Sequence, residues 1–328
     1  MTKATVATHS VPNTRQTVID TEHGPFQVMV SWPLDWHADG TPKDAAEDVA
    51  AVPVIFVLDG NAYFLSATDI ARRQQFEAKR KSIIVAIGYP DAETETVYVP
   101  ARRSFDLTPP AKKGLPQWPV KDADGREVTD GDGHPVYMKL GGAATFHATL
   151  VDVVIPLLSR ELLPSLPAWD RLATRVLSGH SFGGLFTLYA LFTSPGLFDV
   201  YMAASPSIWF NDESIVAEQE AAFLGQPPPA AADGRQKPVL YLNSGTGEEL
   251  DVFPKPDDTD ATFKARQDFL AEKHMCTNTR AMAARLQKTE HFADVWLQEF
   301  TYEDHMSAAV VALQRGMNKL HREWWVGK

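Results

Sequence analysis

Two hydrophobic periodicities alternate along the chain. Short runs such as VPVIFVLDG and KSIIVAIGYP are apolar on both faces, as is typical of strands that helices cover on each side. We predict strands at Thr17-Asp20, Phe26-Trp32, Val54-Leu58, Ile83-Ile87, Arg175-Ser178, Val200-Ala203, Val239-Asn243 and Val295-Thr301. Helical periodicity separates the later strands, at Thr145-Leu163, Gly184-Thr193, Thr262-Gln287 and Met306-Trp324.

Strands that alternate with helices imply right-handed crossovers and a mainly parallel sheet. We therefore predict an α/β protein with a central sheet of about eight strands and helices on both faces. The first two strands, joined at His23-Gly24-Pro25, are expected to form an antiparallel edge. No linker divides residues 1–328, so one domain is predicted, with polar loop insertions at 108–133 and 225–237 and a third polar stretch at 253–260.

Composition narrows the class of protein further. Of 328 residues, 44% are hydrophobic and 22% charged, which excludes global disorder. A net charge of −11 argues against general binding to nucleic acid or anionic membrane. The sequence has neither a run of about 20 consecutive apolar residues nor the apolar stretch of a secretory signal at its start, so we expect no membrane span and a cytoplasmic location.

Metal sites and disulfides are not expected. The single cysteine, Cys276, excludes an intrachain disulfide and a Cys-rich zinc site. The acidic segment from Asp122 to Gly133 has some features of a calcium loop but lacks the third acidic position and the closing glutamate. A polar hairpin is predicted there instead.

The segment RVLSGHSFGGLFTLYALF contains a G-x-S-x-G motif, from Gly179 to Gly183, between a predicted strand and a predicted helix. A serine hydroxyl is a poor nucleophile, so it must project from a sharp turn where a base can reach it. Such a turn crowds the residues two before and two after, which favours glycine. A glycine-rich turn with an incidental serine is the alternative. The order of strand, motif and helix favours Ser181 as a nucleophile.

A serine nucleophile on such a turn requires an oxyanion hole made by two backbone N–H groups. The first belongs to the residue after the nucleophile, Phe182. We assign the second to Asn61, with Gly60 as the close alternative, in the loop DGNAYF after the third predicted strand. Without the motif, Asp59-Gly60-Asn61 would equally suit an ordinary turn.

The base and the acid should follow the nucleophile in the chain. His305 comes directly after the last predicted strand and so lies at the same sheet edge as Ser181. Of the ten histidines it alone has this position; His180 adjoins the nucleophile, but neighbouring side chains on such a turn diverge. The acid could be any of three residues in the loop that follows the preceding strand: Glu248, Glu249 and Asp251. We favour Glu248, because the glycines before it allow a tight turn toward His305.

At these residues the chain resembles the esterase family of α/β-hydrolases, which includes esterase D-type enzymes, mycolyltransferases, feruloyl esterases and siderophore trilactone hydrolases. The resemblance runs from about Val54 to the C-terminus, through VIFVLDGNAYF, RRSFDLTPP, GGAATFHATLVDVVIPLL, the Ser181 motif, AASPSIWF, the Glu248 loop and DHMSAA. It implies an α/β-hydrolase fold. The siderophore esterases are most similar, since they share the LDGN loop, the R-x-x-D-L-T-P-like segment and S-P-S-x-W-F.

The resemblance implies that Ser181 is the nucleophile, His305 the base, and Asn61 and Phe182 the oxyanion donors. Arg103, Trp209 and Gly60 are expected to line the substrate site. Some siderophore esterases work with a Ser-His pair, and the insertion after Thr108 departs from the periplasmic members.

Two groups of side chains have alternative interpretations. Arg102 and Arg103 could pair with an anionic substrate, or Arg103 could pin its loop to the sheet with Asp106. Trp118 and Trp209 could form an aromatic wall for the substrate or pack in the ordinary way.

The expected function is hydrolysis of carboxylic esters by a serine nucleophile, acting on a small-molecule ester, with no metal or organic cofactor. The ester or lactone bonds of a siderophore-like compound are the favoured substrate. A broader carboxylesterase or thioesterase of small acyl groups, and a hydrolase-fold binding protein without turnover, are the alternatives. The sequence leaves the oligomeric state open.

Overall fold

The computed structural model describes residues 10–90, 96–122, 125–229, 236–250 and 254–324. In these residues the eight predicted strands form one sheet. Their bounds are β1 Thr14–Ile19, β2 Phe26–Ser31, β3 Val54–Val57, β4 Ile83–Gly88, β5 Arg175–His180, β6 Val200–Ala204, β7 Val239–Gly245 and β8 Asp294–Phe300.

The strand order is β1-β2-β4-β3-β5-β6-β7-β8. Strands β1, β2 and β4 pair antiparallel, and every pairing from β4 through β3 to β8 is parallel. The predicted α/β class and the antiparallel edge are therefore confirmed. Because parallel strands end at one sheet edge, the loops after β3, β5, β7 and β8 meet there.

Helices connect these strands. Their bounds are α1 Gly60–Ala78, α2 Pro100–Asp106, α3 Ala143–Thr149, α4 Ile155–Leu157, α5 Phe182–Thr193, α6 Phe210–Ser214, α7 Ala221–Leu224, α8 Asp260–Lys273, α9 Met275–Leu286 and α10 His305–Lys319. Wider π-helical turns at Leu150–Val154, Leu158–Leu162, Ile215–Glu220 and Leu320–Trp324 extend α3, α4, α6 and α10.

Two predicted elements differ from the structure. The single helix predicted over 262–287 is two helices, because His274 takes a left-handed conformation with φ 50° and breaks the hydrogen-bonding pattern. The predicted loop after β3 is the first turn of α1. The sequence does hold a signal for this helix, since buried Tyr63, Ala67 and Ile70 recur every three or four residues.

The sheet has a hydrophobic core on each face. Along β3, Val54 and Phe56 belong to one core and Ile55 and Val57 to the other, and all four are at most 2% exposed. The continuous apolar runs of the sequence thus correspond to strands covered on both sides. The helical stretch Ala143–Leu162 is long and apolar enough to cross a membrane by length and composition only. Of its apolar 18-residue window, 44% is buried inside the protein, and one such helix is weak evidence for a span.

The insertion after Thr108 folds back on itself over its described residues. Isolated antiparallel bridges join Pro119 to Tyr137, Lys121 to Glu127 and Thr129 to Pro135, which confirms the predicted polar hairpin. Asp130, Asp132 and His134 lie close together there and are exposed.

Candidate active site

Ser181 lies on a strained turn between β5 and α5. Its φ of 62° and ψ of −118° are rare for a residue with a side chain, and such strain is characteristic of a serine on a strand-to-helix turn. A Cβ on Gly179 would lie 2.2 Å from the carbonyl oxygen of Gly183, so only glycine fits there. The glycine spacing of the motif therefore follows from the sharpness of the turn.

Phe182 begins helix α5, so its backbone N–H is in the first turn, where N–H groups have no partner within the helix. Its ring is stacked on Trp118 of the insertion, with ring centroids 6.4 Å apart and planes inclined by 13°. Trp209 packs against both rings, with each pair of centroids 6.2 Å apart. The insertion thus contacts the residue that follows Ser181.

Glu248 and His305 are brought into direct contact. The Nδ1 atom of His305 is 2.5 Å from Oε2 of Glu248, a side chain that is 1% exposed. The other carboxylate oxygen, Oε1, accepts hydrogen bonds from the Ser205 hydroxyl and the Gly245 N–H, both at 2.6 Å. With both oxygens bound, the carboxylate is held in one orientation and can fix the imidazole tautomer.

The loops that carry these two residues touch each other. A Cβ on Gly245 would lie 2.2 Å from the carbonyl oxygen of Glu303, and the N–H of Gly247 donates to that oxygen at 3.0 Å. The glycines therefore permit a close approach between loops, and Thr246–Glu248 form a tight 3₁₀ turn, as the sequence suggested. Asp304 accepts hydrogen bonds from the N–H groups of Met306 and Ser307 and caps α10, so the helix begins at His305.

Ser181 and His305 line one cavity of about 230 Å³. Phe182, Ser207, Trp209 and Glu248 line it too, and α8 contributes Phe269 and Lys273. The Ser181 hydroxyl lies 3.4 Å from the Ser207 hydroxyl, and the described residues show no hydrogen bond between Ser181 and His305. Catalytic hydrogen bonds are often long without substrate and tighten when it binds.

Of the other two candidate acids, Glu249 is described by the structure and bonds elsewhere than to His305. Glu249 is turned away: it accepts hydrogen bonds from the N–H and hydroxyl of Thr277, at 2.8 and 2.7 Å. These bonds lower the pKa of Glu249 against the opposing effect of burial. Asp251 lies outside the described residues.

Three predicted site residues do not line the Ser181 cavity. Gly60 and Asn61 begin α1 and border a different groove, beside β2. The Asn61 side chain exchanges two hydrogen bonds of 2.8 Å with the backbone of Tyr89. Arg103 makes a bidentate ion pair with Asp59, at 2.8 and 2.9 Å, and covers one face of the Phe182 ring.

Several residues of the site could not be assigned from the sequence. Ser205 and Ser207 lie within the SPSIWF segment, which carries the family resemblance, but nothing in the sequence distinguishes their hydroxyls. Phe269 and Lys273 lie on α8, which buries none of its residues and shows no apolar face. Cys276 is buried and its thiol donates to the Gly245 carbonyl at 3.2 Å; burial raises its pKa to about 11, consistent with a structural role.

The fold and the Ser181 turn are those of an α/β-hydrolase with a nucleophile elbow. Residues 154–301 match a family model described as "Putative esterase". The chain is 36% identical to a siderophore enterobactin esterase of Emericella nidulans over 296 residues, covering 90% of this chain and 88% of that protein. It is 32% identical to a siderophore triacetylfusarinine C esterase of Aspergillus fumigatus over 321 residues, covering 96% and 95%.

Solved structures agree with these sequence relatives. The siderophore hydrolase EstA from Aspergillus nidulans superimposes with a TM-score of 0.80 at 32% identity, covering 98% of this chain and 97% of that one. The BES protein from Bacillus cereus superimposes with a TM-score of 0.68 at 25% identity, covering 96% and 98%. The chain belongs to the esterase family of α/β-hydrolases, and it is a serine esterase that hydrolyses carboxylic ester bonds.

Proposed function

We propose that this esterase hydrolyses the ester bonds of a siderophore, with Ser181 as nucleophile, His305 as general base and Glu248 as the acid that orients the base. The contact between His305 Nδ1 and Glu248 Oε2, beside a cavity that also exposes Ser181, is the observation that carries the catalytic assignment. The siderophore substrate is supported by the names of two relatives that align with nearly the whole chain.

The reaction would proceed by two acyl transfers. Neutral His305 takes the proton of the Ser181 hydroxyl through Nε2 as the oxygen attacks the ester carbonyl. Glu248 stabilises the imidazolium that forms, because its carboxylate accepts the Nδ1–H. His305 then gives the proton to the leaving alcohol, and water repeats the cycle on the acyl-enzyme.

The negative oxygen of each tetrahedral intermediate needs preorganised donors. The N–H of Phe182 is well suited, since it lies in the first turn of α5 beside Ser181. The N–H of Asn61 is the proposed second donor, although the residue itself borders the neighbouring groove. It lies in the first turn of α1, two residues after Asp59, whose Oδ2 would be 3.2 Å from a Cβ on Gly183 of the Ser181 turn. Arg103 would act indirectly, by holding Asp59 in place.

One experiment tests both parts of the proposal. Wild type and Ser181→Ala are incubated with an iron-free trilactone siderophore, its ferric complex and short p-nitrophenyl esters, and the products are analysed by mass. Hydroxy-acid units released by wild type, with a rate at least about 10³-fold lower in Ser181→Ala, are expected. Hydrolysis of the short esters alone would replace the siderophore substrate with the broader carboxylesterase alternative, and an unchanged rate in Ser181→Ala would overturn the nucleophile.

A cytoplasmic site of action remains part of the proposal. Cell fractionation followed by detection of the protein would test it. Detection in the medium or in a membrane fraction would contradict it.

A further inference from the structure

The loop that follows β6 is bound to the Ser181 turn through its backbone. The N–H of Ser181 donates to the carbonyl of Ala204 at 3.0 Å, and the carbonyl of Ser181 accepts from the N–H of Ser207 at 3.2 Å. A Cβ on Gly184 would lie 2.7 Å from the Ala204 carbonyl oxygen, so glycine allows this close approach. The position of the loop relative to Ser181 is therefore fixed by main-chain contacts.

The same loop contacts both the acid and the nucleophile. Ser205 takes a left-handed conformation with φ 41°, and its hydroxyl donates to Glu248 at 2.6 Å. Two residues further along, the hydroxyl oxygen of Ser207 lies 3.4 Å from that of Ser181. Ser205 thus has a role in holding the acid, whereas Ser207 faces the oxygen that would attack the ester.

The hydroxyl of Ser207 has a single hydrogen-bond partner. Ser207 is 1% exposed and lines the Ser181 cavity. Within the part of the chain that the structure describes, its hydroxyl bonds to Ser181 alone. A buried hydroxyl without a partner costs free energy, so this contact matters for Ser207. At 3.4 Å it is long for two hydroxyls, and active-site contacts of this kind tighten when substrate binds.

The chemistry of the reaction decides which of the two hydroxyls donates. Ser181 must give its own hydrogen to His305 when it attacks, so its oxygen is the acceptor for Ser207. In the acyl-enzyme the Ser181 oxygen is bonded to the acyl carbon and carries no hydrogen, so it can only accept. Ser207 is therefore the donor at every stage after the attack.

We propose that Ser207 is a further catalytic residue, whose hydroxyl donates a hydrogen bond to Ser181 Oγ and assists the departure of that oxygen in deacylation. The inference rests on the proposed function in one respect, the assignment of Ser181 as the nucleophile. The ester and its acyl group can be of any kind, because Ser207 acts on the enzyme's own oxygen.

Deacylation proceeds in two steps. Water gives one proton to His305 as its oxygen bonds to the acyl carbon. The bond between that carbon and Ser181 Oγ then breaks, its electron pair stays on Oγ, and His305 returns the proton to Oγ. Ser207 keeps its own proton throughout. Since a hydrogen bond to an oxygen that gains negative charge is stronger than one to a neutral ester oxygen, the contact stabilises the transition state of the second step.

The experiment separates acylation from deacylation. Wild type and Ser207→Ala are saturated with p-nitrophenyl acetate, kcat is measured, and the fraction of protein that carries an acetyl group in the steady state is measured by mass after rapid quenching. Dividing kcat by the acetylated fraction gives the deacylation rate constant, and dividing it by the remaining fraction gives the acylation rate constant. The same ester serves for all variants.

We expect the deacylation rate constant of Ser207→Ala to be at least about 10-fold lower than that of wild type, because a hydrogen bond to a charged oxygen is lost. Acylation should fall less, since the neutral hydroxyl of free Ser181 already accepts this bond before the attack. The acetylated fraction should therefore rise in the variant, and KM should fall together with kcat.

Ser214→Ala is the matched control. Ser214 is also a buried serine, 2% exposed, but its hydroxyl has no hydrogen-bond partner among the described residues and it does not line the Ser181 cavity. Both of its rate constants should match those of wild type. Thermal unfolding of the two variants verifies that each is folded.

A deacylation rate constant that is unchanged in Ser207→Ala, or that falls no more than the acylation rate constant, would overturn the proposal. Peptide mapping of the acetylated protein keeps this outcome separate from that of the proposed function. An acetyl group on Ser181 with wild-type deacylation in Ser207→Ala would remove the role of Ser207 alone. An acetyl group on another residue would reject Ser181 as the nucleophile.

Discussion

The ring of His180 lies directly against the ring of His305, with centroids 4.4 Å apart and planes inclined by 42°. His180 is buried, and its Nδ1 lies 3.1 Å from the hydroxyl of Tyr63, which is in turn hydrogen-bonded to Tyr98. Burial, together with the nearby charges of His305 and Arg103, holds the pKa of His180 well below its usual range. The neutral ring of His180 therefore packs against the ring of His305 without placing a positive charge beside it.

We expect His180 to be a positioning residue for His305. His180→Ala removes the supporting ring and should lower kcat by about 10-fold with little change in KM, because a small misplacement of a base is costly. His180→Phe restores a ring of similar size and should recover most of the rate. Equal kcat losses in the two variants, or a change confined to KM, would contradict this role.

The assignment of the acid can be tested by charge removal. Glu248→Gln should lower kcat by at least about 10²-fold, because an amide cannot stabilise the imidazolium as a carboxylate does. Glu249→Gln is the matched control: its side chain contacts Thr277 instead, and kcat should change less than about twofold. Asp251→Asn completes the set. Equal, small losses of kcat in all three variants would indicate that the enzyme works with a Ser-His pair and no catalytic acid.

The rate should depend on pH through the base. Protonated imidazole cannot accept the Ser181 proton, so kcat/KM should fall on acidification. Initial rates on a short ester, with circular dichroism at each pH to verify folding, measure this. A flat profile would argue against a histidine base.

The free energy of unfolding should also fall on acidification, because His321 is a buried histidine. Burial, with a further contribution from Arg80, lowers the pKa of His321 to about 4. Below about pH 6.5 the His321 side chain takes up a proton in the unfolded chain but stays neutral in the folded protein. The free energy of unfolding is therefore highest above that pH and falls as the pH is lowered toward 4. Between pH 7 and 5 the loss is about 2 kcal/mol.

The variant His321→Gln tests this stability effect. Glutamine can keep a hydrogen bond to Ser82, which lies 2.9 Å from the imidazole, but it does not titrate. Urea unfolding should show a pH 7 to pH 5 difference that is smaller by about 2 kcal/mol than in wild type. An identical difference in the two proteins would exclude His321 as the source.

Arg103 could contact the substrate or serve a structural role, and its ion pair with Asp59 allows the two to be distinguished. Both side chains are largely buried, so Arg103→Ala should lower the free energy of unfolding by about 3 kcal/mol. Arg73→Ala, which removes an exposed pair with Asp69, should cost less than about 1 kcal/mol. A raised KM with unchanged unfolding in Arg103→Ala would instead favour a contact with substrate.

The sequence alone was sufficient for the sheet and for the chain order of the site. Strand positions follow from apolar runs such as those of β3 and β4, because only strands covered on both faces tolerate them. Ser181 could be predicted because the sharp turn of a G-x-S-x-G motif leaves room only for glycine at two flanking positions, which makes the motif visible in the sequence. His305 followed from its place after the last strand.

The sequence favoured Glu248 over Glu249, but only the tertiary structure shows that Glu248 is the one in contact with His305. The two are neighbours with the same chemistry, and what separates them is the approach of the Glu303 loop to Gly245 and Gly247, a contact across more than 50 residues of chain. The contacts of His180 with His305 and of Lys273 with Trp209 are likewise contacts between distant segments. Periodicity and spacing describe what a chain does locally, whereas such contacts depend on how helices and loops pack across the sheet edge.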